Sequence, residues 1–151
     1  MKVYKVVLGL LAIYSIVFVV CCIGSPIASH FGWYEIANKM HLFLLPACHH
    51  KPEKCFWLLG YPMYLCCRCF GFYLAFMISG FIYLFKEIKL SKLILFIIFL
   101  GFSIDLSINY FAKITTWNIT RFISGICLAI LVVHFIKYLF SKERGSYEKS
   151  Y

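Results

Sequence analysis

Four apolar runs dominate this chain, each long enough, or nearly so, to cross a bilayer, which takes about 20 residues of helix. The first, Val6 to Ile23, contains no charged residue. The second covers about residues 66–85, with Arg68 its only charge, near the start. The third, 93–111, is interrupted by Asp105, and the fourth, 117–138, carries Arg121 and Lys137 near its ends. Inside lipid a backbone must satisfy its own hydrogen bonds, and a helix does so within one run. The expected fold is an all-α integral membrane protein with four transmembrane helices, forming a single membrane domain over residues 1–151. Composition agrees, with 63% apolar and 14% charged residues, where soluble domains average about a quarter charged.

The net charge of +9 could suggest a nucleic-acid partner, but its distribution argues against one. Lys2 and Lys5 precede the first run, Lys86, Lys89 and Lys92 separate the second from the third, and Lys137, Lys142, Arg144 and Lys149 close the chain. If four helices alternate, these segments share one side and hold nine of the fifteen basic residues. The positive-inside rule then places both termini and the Lys86–Lys92 loop in the cytoplasm. The expected location is a bacterial cytoplasmic (inner) membrane, with the lipid bilayer as the main partner. The first run has the charged start of a signal peptide but is long for one, so it reads as a retained anchor.

On this topology residues 24–65 form a long outer segment and 112–117 a short one. The long segment holds Trp33, Tyr34, Phe56, Trp57, Tyr61 and Tyr64, amphipathic aromatics that favour the headgroup region. Its apolar stretch His41 to Leu45, closed by Pro46, is too short to span. It reads as an interfacial or re-entrant segment before the second helix.

Five of the eight cysteines fall between Cys48 and Cys69. Cys66 and Cys69 form a C-x-x-C pair at the start of the second helix, where helical geometry would put both sulfurs on one face. With Cys48 and His49 they make four ligands suited to a tetrahedral zinc or similar divalent ion; His50 could substitute for His49. Cys21, Cys22 and Cys127 read as small apolar fillers. A rival reading is a membrane thiol–disulfide oxidoreductase using Cys66 and Cys69, whose pKa a helix start and Arg68 would lower. A third is a structural or assembly protein that the metal or a disulfide merely stabilises.

Asp105 in the third helix needs a partner, because a charge inside lipid is costly. Arg68 and Arg121 enter their helices at similar depth, so either can pair with it, and Asn109 lies one turn further out. Arg68, Asp105 and Arg121 are thus candidate catalytic residues, or the walls of a pocket for an anionic small molecule or lipid headgroup. No general base stands out, so enzyme status is open. His134 has no polar company and reads as structural. Small residues recur every four positions, Gly71, Ala75 and Ser79 on the second helix and Gly125 with Ala129 on the fourth. They permit close helix approach, within the chain or in an oligomer.

The order Cys48-His49, Pro52-Glu53, then Cys66-x-Arg68-Cys69-x-Gly71-x-Tyr73 resembles the signature of an uncharacterised family of small predicted bacterial membrane proteins. That family, a domain of unknown function, shows C-H-Q…P-E-R-S-F…C-x-R-C-x-G-x-Y, then an Asp in one helix and R-x-x-G in the next. Here the later matches are Asp105 and Arg121 with Ser124-Gly125. The resemblance implies that Cys48, His49, Cys66, Arg68, Cys69, Asp105 and Arg121 form the group of interest. His50, Cys55 and Cys67 depart from the pattern and are set aside. It implies no activity.

Overall fold

The computed structural model describes residues 3–48, 51–86, 88, 90–111 and 117–147, with side chains described as far as Phe140. Five α-helices and one β-hairpin follow in the order α1 Val3–His30, α2 Tyr34–Leu44, β1 Cys55–Leu58, β2 Tyr61–Cys66, α3 Cys67–Phe85, α4 Lys92–Phe111 and α5 Asn118–Tyr147. Four of them, α1, α3, α4 and α5 (over Asn118–Phe140), are long and apolar enough to cross a membrane. All four apolar runs are therefore helical. The short outer segment expected at 112–117 lies, apart from Trp117, outside the described residues.

Lipid tails are as apolar as leucine, so these helices gain little from burying leucine against leucine; close packing decides which faces meet. Glycine sets two of the three main contacts. A Cβ on Gly80 would come within 2.6 Å of Ala12 Cβ and 3.1 Å of the Leu8 carbonyl oxygen, so α3 rests on the backbone of α1. A Cβ on Gly71 would collide with the Phe122 carbonyl oxygen, and one on Gly125 with that of Arg68. The recurring small residues are therefore used inside the chain. Phe18 stacks on Tyr73 at 4.5 Å and Gly9 faces Leu84, so α1 and α3 run antiparallel. Gly71 against Phe122 and Tyr83 against His134 make α3 and α5 parallel.

Two apolar clusters result. At the lysine-rich end Tyr4, Leu8, Phe76, Tyr83, Ala129 and Val133 pack together. His134 does have polar company there, contrary to the sequence expectation. Its Nε2 lies 2.8 Å from the Tyr83 hydroxyl, because the parallel register of α3 and α5 brings them level. At the opposite end Phe18, Cys22, Leu44, Cys48, Met63 and Leu65 pack together, so α1, α2 and the hairpin share a core beneath the cysteines. Cys22 is a filler in it, as expected. The helix α4 buries no residue; its half-buried positions are Leu95, Ile98, Phe102, Ser103, Asp105 and Asn109, and Asn109 meets Arg121 of α5 at 3.1 Å.

The segment before α3 departs most from expectation. The turn after α1 passes through Gly32 at φ 79°, and α2 folds back along α1, with Met40 against Gly24 and Phe43 at 5.3 Å from Phe18. The expected short segment is thus an eleven-residue helix. A 3-10 turn, Leu45–Ala47, follows it, and a second, Pro52–Lys54, leads into β1. The antiparallel hairpin pairs Leu58 with Tyr61 and Cys55 with Cys66. Its two-residue loop, Leu59 and Gly60, has φ of 54° and 84°, the positive pair required by a type I′ turn.

Candidate metal centre

Three chain segments converge at the mouth of the bundle. Cys48 follows the Leu45–Ala47 turn in extended conformation, Cys66 ends β2, and Cys69 lies in the first turn of α3. Their sulfur atoms all lie within 4.8 Å of one another. Zinc–sulfur bonds of about 2.3 Å in a tetrahedral site place sulfurs about 3.8 Å apart, so these thiols can hold a metal ion with little backbone movement. Among the described residues this is the one convergence of three or more metal-ligating side chains. His49, the expected fourth ligand, and its substitute His50 lie outside the described residues.

One backbone donor points into the triad: the Cys66 N–H donates to Cys48 Sγ at 3.3 Å, the kind of bond that strengthens when its acceptor is a thiolate. The Cys69 thiol meets the Ala47 carbonyl oxygen at 3.9 Å. Cys48 is buried, and Cys66 and Cys69 are half-buried.

The expectation that Cys66 and Cys69 share a helix face is corrected. Cys66 has φ −63° and ψ 153° and precedes the first helical residue, because pairing with Cys55 holds it in the strand. The pair converges through a strand-to-helix corner instead. Nor is the net shift of the Cys66 pKa downward. The hydrogen bond with Cys48, with burial, pushes it up and outweighs the lowering by the Cys69 side chain and by the Cys69 backbone N–H at the helix start. Cys55 and Cys67 are buried outside the triad. The Cys55 thiol bonds to the Lys51 carbonyl oxygen at 3.3 Å, and burial pushes its pKa up to about 12.

A chain of polar side chains crosses three helices next to Cys69. Arg68 Nη2 donates to Asp105 Oδ2 at 2.6 Å, and its Nε donates to Ser124 Oγ at 3.1 Å. Asn109 donates from Nδ2 to the Asp105 backbone oxygen at 2.7 Å and to its Oδ1 at 3.3 Å. Arg121 Nη2 donates to Asn109 Oδ1 at 3.1 Å. Of the two pairings open to Asp105, the direct one is with Arg68, and Arg121 connects through Asn109. Arg121 is 6% exposed, which buries its charge almost completely. Ser124 was visible in the sequence only as part of R-x-x-G; here it orients Arg68 and donates to the Arg121 carbonyl at 2.9 Å. Asn118 ties the hairpin to α5 by donating to the Cys55 carbonyl at 3.2 Å.

No solved structure matches the chain. It is 27% identical over 113 residues to the Uncharacterized protein MJ1492 of Methanocaldococcus jannaschii, an alignment covering 72% of each chain. That relative is archaeal, so the comparison does not bear out the expected bacterial origin. Residues 48–135 match one family model, from the first thiol of the triad to the residue after His134. The chain belongs to that family, described as Predicted membrane protein (DUF2085).

Proposed function

We propose that this membrane protein carries a thiolate metal centre, with Cys48, Cys66 and Cys69 as ligands and His49 as the fourth, holding zinc or a similar thiophilic divalent ion. The observation that carries the reading is the convergence of three sulfurs from three segments within 4.8 Å. Bound there, such an ion supplies Lewis acidity if a position stays open, or pure cross-linking if all four ligands close around it. Arg68, Asp105 and Arg121 are assigned to a neighbouring polar wall. Arg68 and Arg121 bring two guanidinium groups to this wall, a donor geometry that suits the carboxylate or phosphate of an anionic small molecule or lipid headgroup. The basic residues at the opposite ends of the helices favour an outer location for the centre, with both termini cytoplasmic.

Purified protein in detergent should contain metal in stoichiometric amount by elemental analysis, and Cys66→Ser and Cys69→Ser should lose it. Cys127→Ser, a thiol outside the triad on α5, should retain it. Metal-free protein whose triad thiols are paired by intact-mass alkylation would overturn the reading in favour of thiol–disulfide chemistry. Metal retained in both triad variants would also overturn it.

A further inference from the structure

The four crossings fix the depth of everything attached to them. Lys5 on α1, Lys86 after α3, Lys92 on α4 and Lys137 on α5 lie at one end, where Lys5 and Lys137 bond to backbone oxygens of Leu84 and Ile88. Lysines of this kind anchor a helix at the headgroup boundary. Counting about 20 residues of crossing from each puts the opposite boundary near Ser25, Cys66, the end of α4 and Trp117. Independent contacts agree on that level. Gly80 lies against Ala12 and Phe18 against Tyr73, and the same antiparallel register sets Ser25 level with Cys66.

Against this scale α2 runs downward. It starts at Tyr34, beyond the end of α1, reaches the boundary where Met40 meets Gly24, and carries Phe43 to Phe18. Seven residues of α1 separate Phe18 from Ser25, or about 10 Å of helix. The composition of α2 changes at the same level. Above it stand all the charged and amide side chains of α2, Glu35, Asn38 and Lys39, exposed, with Lys39 3.7 Å from Glu35, beside exposed Tyr34 and Ile36; none stands below. Below it Leu42 is 63%, Phe43 45% and Leu45 46% exposed. The inward face is fixed to the protein by fully buried Leu44 and by the His41 ring stacked on Tyr64 at 4.2 Å. The exposed apolar face continues onto Tyr14 and Val17 of α1, themselves exposed, which is surface already given to lipid if α1 crosses.

We infer that the C-terminal half of α2, with Leu45 of the turn after it, is a re-entrant wedge whose Leu42, Phe43 and Leu45 lie among the acyl chains of the leaflet at the cysteine end. The occupant of this face is lipid, because the face is continuous with α1 and carries no charged or amide side chain below the depth where the crossings enter hydrocarbon. The triad then sits at headgroup level behind the wedge. The inference rests on the crossings alone and is independent of whether the thiols bind metal; metal content is the separate readout of that reading.

Replacing Trp33, Trp57 and Trp117 by Phe removes every tryptophan, and Leu42→Trp or Glu35→Trp then adds one reporter. In phosphatidylcholine vesicles the Leu42→Trp emission should be blue-shifted, quenched by lipid brominated in the upper acyl chain, and insensitive to iodide. Glu35→Trp should show the reverse. Iodide quenching of Leu42→Trp without bromolipid quenching would place α2 in water and overturn the inference. Protection from both quenchers would mean that a second copy covers the face, and would overturn it equally. If the tryptophan-free background does not fold, photolabelling of wild-type protein in vesicles containing a diazirine-bearing acyl chain tests the same burial. Label on the peptide containing Leu42 to Leu45 supports the wedge, and absence of label there, with label on α4, refutes it.

Discussion

Asp105→Ala removes the carboxylate that Arg68 meets at 2.6 Å and that Asn109 contacts at 3.3 Å. The two side chains of the ion pair are 26% and 13% exposed, so water screens them weakly. A hydrogen bond to a charged group contributes about 1.5–3 kcal/mol. Stranding Arg68 adds desolvation, and breaking a buried pair on one side costs about 3–5 kcal/mol. Ser124 remains on Arg68 at 3.1 Å, which places the expected loss at the lower end, about 3 kcal/mol. Reversible unfolding in mixed micelles, titrated with dodecyl sulfate, measures it. Wild type, Asp105→Ala, Arg68→Ala and the double variant form a cycle. Its coupling should reach about 1.5–3 kcal/mol, well above the roughly 0.6 kcal/mol average for hydrogen bonds between membrane helices. Coupling below about 0.5 kcal/mol, the usual scatter of additive sites, would refute the argument that this pair joins α4 to α3.

Three further outcomes follow from packing and burial. Gly125→Ala drives a methyl into the Arg68 carbonyl and brings it 3.0 Å from the Phe72 nitrogen, both backbone atoms, so it should lose about 1–3 kcal/mol in the same assay. Gly101→Ala, with nothing within 4 Å, should be neutral or slightly stabilising. Cys55 has a folded pKa raised to about 12 from 9.0. The folded state therefore keeps a proton that the unfolded chain releases, and stability should fall as pH climbs from about 9 towards 12. Comparing Cys55→Ala with wild type isolates this limb from tyrosine and lysine titration; identical pH profiles would contradict it.

What the sequence made legible were features carried by one segment. The apolar runs specify helices because lipid leaves the backbone no other partner, and the spacing of Gly71, Gly125 and Ala129 specifies close approach. Features set by two segments at once were not legible. Cys66 reads as helical from its spacing to Cys69, yet its conformation is decided by Cys55 eleven residues earlier, through a hairpin. That hairpin is hard to see because its turn uses Leu59, a poor left-handed residue, ahead of Gly60. The choice of Arg68 over Arg121 for Asp105 depends on the rotation of three helices, which no local pattern encodes. His134 gained its partner by the same route, from the register of α3 against α5. The triad itself was half legible: residue types and order pointed to Cys48, Cys66 and Cys69, but only the folded hairpin brings them to one place.

The helix α4 gives the rest of the chain very little: no buried residue and six half-buried ones, Leu95, Ile98, Phe102, Ser103, Asp105 and Asn109. In terms of sequence tolerance, those six positions are the ones whose identity the fold can sense. Elsewhere on α4 the requirement is membership of a broad class, side chains that dissolve in lipid over the length of a crossing. Drift among Leu, Ile and Phe on its outward faces should therefore be silent. Asp105 and Asn109 have no such freedom, since each is held by groups on another helix. Information in α4 is thus concentrated at its cysteine end, in the one turn that completes the polar wall beside the thiols.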